Sequence, residues 1–140
     1  MINKSWLDIS KEDIDNLYAI PKIIIDDIKW QSNNNSLKIK ISVYTKEEQF
    51  KGIKITLYGN VGKKYSFSLN CNNNIIIRRW DYFKHPDIQE PHKHYFDGNI
   101  NAMKIYPATD IPTDDLNIAF YNFLKECNIE LKGIYYQIII

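Results

Sequence analysis

The chain predicts an α+β fold, in which one mainly antiparallel sheet of about five to seven strands carries a C-terminal helix on one face. Two patterns predict it. Apolar residues alternate with polar ones at Leu37–Val43, Ile53–Leu57 and Tyr65–Leu69, the period of a strand with one buried face. Near the other end, Leu116, Ala119, Phe120, Phe123, Leu124 and Cys127 recur at i, i+3, i+4, i+7, i+8 and i+11, the stripe of an amphipathic helix. Short polar turns join the strands, which favours hairpins over crossovers.

The elements follow in order. Ser10-Lys11-Glu12-Asp13 reads as a helix start, with Ser10 as cap and Asp13 at the capping-box position. Ile14, Leu17 and Tyr18 form its short apolar stripe, and Pro21 ends it. Ile23–Trp30 is β-branched and reads as one strand, followed by a turn at Asn33-Asn34-Asn35. Gly59-Asn60-Val61-Gly62 and Asn72-Asn73-Asn74 read as the next turns, with Cys71 placed in the second. Ile75–Phe83 is a strand, and His92–Phe96 and Met103–Tyr106 are further candidates. Asp110-Ile111-Pro112-Thr113 opens the main helix, and Asn128 caps its end. Ile134–Ile140 is apolar enough to read as a strand inside the sheet.

With 140 residues and 44% hydrophobic content, the chain suits a single domain, 1–140, around one core. A formal net charge of +1 gives no bulk signal for duplex DNA, although a local basic patch stays open. Cys71 and Cys127 lack metal-type spacing and are expected to be unpaired thiols in a reducing compartment. No signal-peptide core and no membrane-length apolar run are present, so the expected location is cytoplasmic with no membrane partner.

The chemistry concentrates between Trp80 and Gly98. All three histidines, His85, His92 and His94, fall within ten residues there. In an extended segment His92 and His94 share a face, and a hairpin across the Pro86–Pro91 loop returns that face toward Arg79 and Asp81. Two imidazoles titrating near neutrality suit acid/base catalysis: one accepts a proton, the other donates. Asp81 would hold one tautomer, and Arg79 or Arg78 would neutralise a phosphate. The set suits metal-independent cleavage of RNA, with no cofactor. A metal site is the second reading, with Asp81, Asp87 or Asp97 joining the imidazoles. Solvated histidines beside packing aromatics (Trp80, Tyr82, Tyr95, Phe96) are the plain third.

Arg79-Trp80-Asp81, His85-Pro86-Asp87-Ile88 and Pro91-His92-Lys93-His94 together resemble the signature of the TumE-type toxin family. The segment Phe123–Ile129, with Tyr95 and Ala102, is similar to a related uncharacterised phage and bacterial family that has its own Pro-His-x-His motif. The resemblance spans roughly residues 75–129, and this chain lacks the additional histidines beside His85 and His92 that many toxin relatives carry. It implies a small protein of mobile elements: a toxin with an antitoxin partner, or a phage protein that acts on a host defence complex by binding. Both classes stay open from the sequence, as does the oligomeric state.

Overall fold

The computed structural model describes residues 9–62, 65–72, 75–82, 92–95, 104–107 and 115–138. Helix α1 (Lys11–Ala19) leads to nine strands: β1 (Lys22–Ile24), β2 (Gln31–Asn33), β3 (Ser36–Val43), β4 (Ile55–Val61), β5 (Tyr65–Cys71), β6 (Ile75–Asp81), β7 (His92–Tyr95), β8 (Lys104–Pro107) and β9 (Ile129–Leu131). Helix α2 (Leu116–Glu126) separates β8 from β9. Strands β2 to β8 form one seven-stranded antiparallel sheet in chain order, the expected meander. The fold is α+β with α2 on the apolar face, as predicted. Among the described residues no helix is long and apolar enough to cross a membrane.

The inner face explains why the helix docks. Leu57, Phe67, Leu69 and Trp80 share one buried cluster with Phe120 and Phe123. Phe67 meets Phe120 edge-on at 5.3 Å, and Trp80 meets Phe123 at 5.4 Å. Such edge-to-face pairs add to the gain from burial. Asp115 caps α2 by accepting from the backbone N–H groups of Asn117 and Ile118. The predicted opening at 110–113 lies outside the described residues. Asn128, in the left-handed region at φ 56°, stops the helix where expected.

Helix α1 has the predicted capping box between Ser10 and Asp13. Its other end is closed by Lys22, only 1% exposed. The Lys22 ammonium donates to the carbonyls of Leu17, Tyr18 and Ile20. Burial pulls its pKa down to about 8, so it is still an ammonium at neutral pH, with an acceptor for each of its three N–H bonds.

Four sequence expectations are corrected. Gly59, Asn60 and Val61 do not turn; they continue β4. A Cβ at Gly59 would lie 2.6 Å from the Trp30 ring, so this glycine admits a close packing neighbour within a strand. Ile23–Trp30 is not one strand. The chain bends at Asp26-Asp27, leaving β1 and an isolated bridge at Ile28. Cys71 ends β5 and is fully buried, rather than sitting in a turn. Cys71 and Cys127 are both free, as expected, and burial pushes both thiols up to about 12.

The fourth concerns Ile134–Ile140, where the described part, to Ile138, is no sheet strand and has one bridge, Tyr135 to Ile28. Ile134 is 59% exposed and Tyr136 48%. Ile28 exchanges backbone hydrogen bonds with Ile134 and Tyr136, and further along Asn117 of α2 donates to the Ile138 carbonyl and accepts from the Ile138 N–H. Tyr135 stacks on Phe120 at 5.3 Å and donates its hydroxyl to the same Asn117. β9 instead pairs in parallel with β1 as a separate two-stranded sheet.

Candidate functional site

Strand β6 builds two sites because its alternation breaks once. A bulge between Leu69 and Asn70 of β5 pairs Leu69 with Arg78 but Asn70 with Ile76. Strict alternation would place Ile75, Ile77, Arg79 and Asp81 on one face. The extra residue lets Ile75 and Ile77 stay in the core while Arg79 and Asp81 turn to the outer face. Arg78 and Trp80 then point inward, toward the helices.

The outer site centres on Asp81. Its register partners are Ser66 on β5 and His92 on β7, and Arg79 pairs with Ser68 and His94. Residues opposite one another share a face, and diagonal neighbours lie within reach of long side chains. Accordingly the Ser66 hydroxyl donates to Asp81 Oδ1 at 2.6 Å, and Arg79 Nε donates to the same oxygen at 2.9 Å. His94 Nε2 lies 2.8 Å from Asp81 Oδ2. Burial works against charge on Asp81, but His94, Ser66 and Arg79 outweigh it and hold the carboxyl well below the usual carboxylate range.

Four of the five predicted site residues, Arg79, Asp81, His92 and His94, are thus brought together by the register of β6 and β7. Side-chain contacts are described for Arg79, Asp81 and His94, and His92 stands at the position opposite Asp81. His85 lies outside the described residues, as do Asp87 and Asp97 of the metal reading. Among the described residues no three His, Cys, Asp or Glu side chains gather as a metal would require. Ser66 was absent from the predicted set. Its outward place on β5 was legible in the alternation, but its register with Asp81 was not.

The inner site is a second ionic cluster. Glu126, at the end of α2, accepts from Lys93 Nζ at 2.7 Å and from Trp80 Nε1 at 2.9 Å. Arg78 Nε lies 3.8 Å from the same carboxylate, and its guanidinium sits 3.9 Å from the centre of the Tyr18 ring on α1. Lys93 Nζ also lies 4.8 Å from the Trp80 ring centre. The Lys93 side chain is only 7% exposed. This cluster ties both helices to β6 and β7. Nothing in the sequence marked Glu126 as its centre, since it lies beside the apolar stripe.

Comparison of the chain with protein-family models, with curated proteins and with solved structures finds no match in any of the three.

Proposed function

We propose that this chain is a small cytoplasmic, toxin-like protein of a mobile element that cleaves RNA without a metal, using the outer site of β6 and β7. The observation that carries the reading is the Asp81 carboxylate held between His94 Nε2 at 2.8 Å and Arg79 Nε at 2.9 Å, with His92 in register opposite. A carboxylate beside Nε2 fixes the proton there and leaves Nδ1 as the basic nitrogen of the ring. It also stabilises the imidazolium that forms when the ring takes a proton. His94 is therefore the base that removes the proton of a ribose 2′-hydroxyl. The oxygen attacks the adjacent phosphorus, and His92 gives a proton to the departing 5′-oxygen. Arg79, 38% exposed, offsets charge on the phosphate. The products are a 2′,3′-cyclic phosphate and a free 5′-hydroxyl. An antitoxin would be the natural partner.

The test is single-turnover cleavage of a labelled RNA by purified protein, with and without chelator. His92→Ala and His94→Ala should each lower the rate by about 10²–10⁴-fold, and the chelator should change nothing. A wild-type protein that cuts no RNA and does not arrest growth on induction would end the reading.

One observation favours the second class, a phage-encoded inhibitor that binds a host defence protein. Ile118 and Tyr121 on the outward face of α2 are 52% and 51% exposed, and Tyr121 abuts Tyr135 at 5.7 Å beside exposed Tyr136. An apolar, aromatic surface of this kind suits a protein partner. Loss of activity in Tyr121→Ala, with His94→Ala fully active, would favour it.

A further inference from the structure

The outer face carries more than the catalytic cluster. Its register partners line up in two rows across five strands. One row runs Lys40, Tyr58, Ser68, Arg79, His94, and the other runs Lys38, Asn60, Ser66, Asp81, His92. Between β3 and β7 each row runs from a lysine to a histidine, and β8 continues the rows with Ile105 and Pro107. With strands about 4.8 Å apart, each row spans about 19 Å.

The charge on this face is one-sided. Lys38 and Lys40 are exposed on β3, and exposed Lys54 continues the outward parity of β4. With Arg79 they face a single described carboxylate, Asp81, which is already held by Arg79 and His94. The whole chain has a formal net charge of only +1, so this local excess of cations stands out against a nearly neutral molecule. Second in one row, between Lys40 and Ser68, stands Tyr58, half-buried, with Lys40 Nζ 5.9 Å from the centre of its ring. The contacts of α1 and α2 lie on the inner face, at Arg78, Trp80 and Phe67.

We infer that the outer sheet face, from Lys38 and Lys40 across Tyr58 to Arg79 and His94, is a binding track for single-stranded RNA that leads into the proposed cleavage site. This rests on the ribonuclease reading for the choice of RNA. A sheet face with an aromatic set between cations suits two or three splayed nucleotides, with a base stacked on the ring while the phosphates meet the lysines. A rigid duplex keeps its bases stacked on one another and offers Tyr58 nothing to stack on. Cations at one end and histidines at the other orient the strand, with the scissile phosphate over β6 and β7.

Binding is separable from cleavage by a probe that cannot be cut: a fluorescein-labelled, fully 2′-O-methylated single strand of about eight nucleotides, followed by anisotropy. The wild-type protein should bind it, and an unlabelled duplex of the same sequence should compete poorly. The Lys38→Gln/Lys40→Gln double variant should lower the slope of log affinity against log salt by about 0.7 per lysine. Tyr58→Ala should weaken binding roughly tenfold, Tyr58→Phe should restore it, and Lys132→Gln, beyond β9, should have no effect. Melting curves matching the wild type would establish that each variant is folded. Absence of binding, an unchanged salt slope, or equal competition by the duplex would overturn the track. If the probe binds as described but no RNA is cleaved, the track stands and the ribonuclease reading fails. If RNA is cleaved as efficiently by Lys38→Gln/Lys40→Gln and Tyr58→Ala as by the wild type, cleavage stands and the track fails.

Discussion

Lys93 and His94 are chain neighbours on β7 that face opposite sides of the sheet, and each meets a carboxylate. Lys93 meets Glu126 at 2.7 Å on the inner face, between a strand and two helices. His94 meets Asp81 at 2.8 Å on the outer face, where Arg79 beside it is 38% exposed. The inner pair is bounded by Trp80, Tyr18 and the end of α2, and it fastens these elements together. The outer pair is as enclosed as the inner one, with the His94 side chain 14% and the Asp81 side chain 8% exposed, but the face it lies on also carries exposed lysines and half-buried serines. Two charge pairs of similar burial therefore differ in their surroundings: both helices pack around the inner one, and the proposed RNA track runs past the outer one.

The comparison breaks most sharply at Glu126. Glu126→Ala leaves Lys93 and Arg78 buried without that carboxylate and should cost about 3–5 kcal/mol in a thermal or urea melt. Phe120→Ala and Phe123→Ala, in the same interface, belong to the same range of about 3–5 kcal/mol. A melt that scarcely moves in all three would mean that the inner cluster and α2 do not hold the fold as described.

Asp81 gives a smaller effect with a distinct pH signature. Its folded pKa lies below its unfolded value, so the native state binds fewer protons than the unfolded chain in the ordinary carboxylate range. Its stabilising contribution is present above that range and is lost as pH falls through it. Stability of the wild type should therefore drop on acidification below about pH 4, by on the order of 2 kcal/mol from this residue. Asp81→Asn should flatten that limb in melts across the acid range. A variant with the same acid slope as wild type would show that the carboxyl is not held as the geometry indicates.

Arg79→Gln should move stability least. Its ion pair is more than a third exposed and solvent-screened, worth under about 1 kcal/mol. RNA cleavage should nevertheless fall about 10²–10³-fold. Equal loss of melting temperature and of activity would move Arg79 into the structural class.

How far the sequence foretold this follows from which signals are local. The meander, the capping box at Ser10, the α2 stripe and the Asn128 stop each depend on spacing within one element, and each is where the pattern put it. The grouping of Arg79, Asp81, His92 and His94 also followed from alternation plus one hairpin. What was hidden depends on partners distant in the chain. Gly59 looks like a turn residue until Trp30 is seen filling the space above it. The apolar end of the chain looks like a sheet strand until Ile28 and Asp27 take the hydrogen bonds of Ile134 and Tyr136, and Asn117 those of Ile138. The bulge at Leu69/Asn70 is equally silent, although without it Arg79 and Asp81 would share a face with Ile75 and Ile77.

The most direct test of the account is the single-turnover RNA cleavage rate of His94→Gln, measured beside Lys93→Met at a temperature where circular dichroism shows both folded. The account predicts a loss of about 10²–10⁴-fold in His94→Gln and a rate close to wild type in Lys93→Met, whose defect should instead appear as a lower melting temperature. A His94→Gln protein that cleaves RNA at the wild-type rate would contradict it.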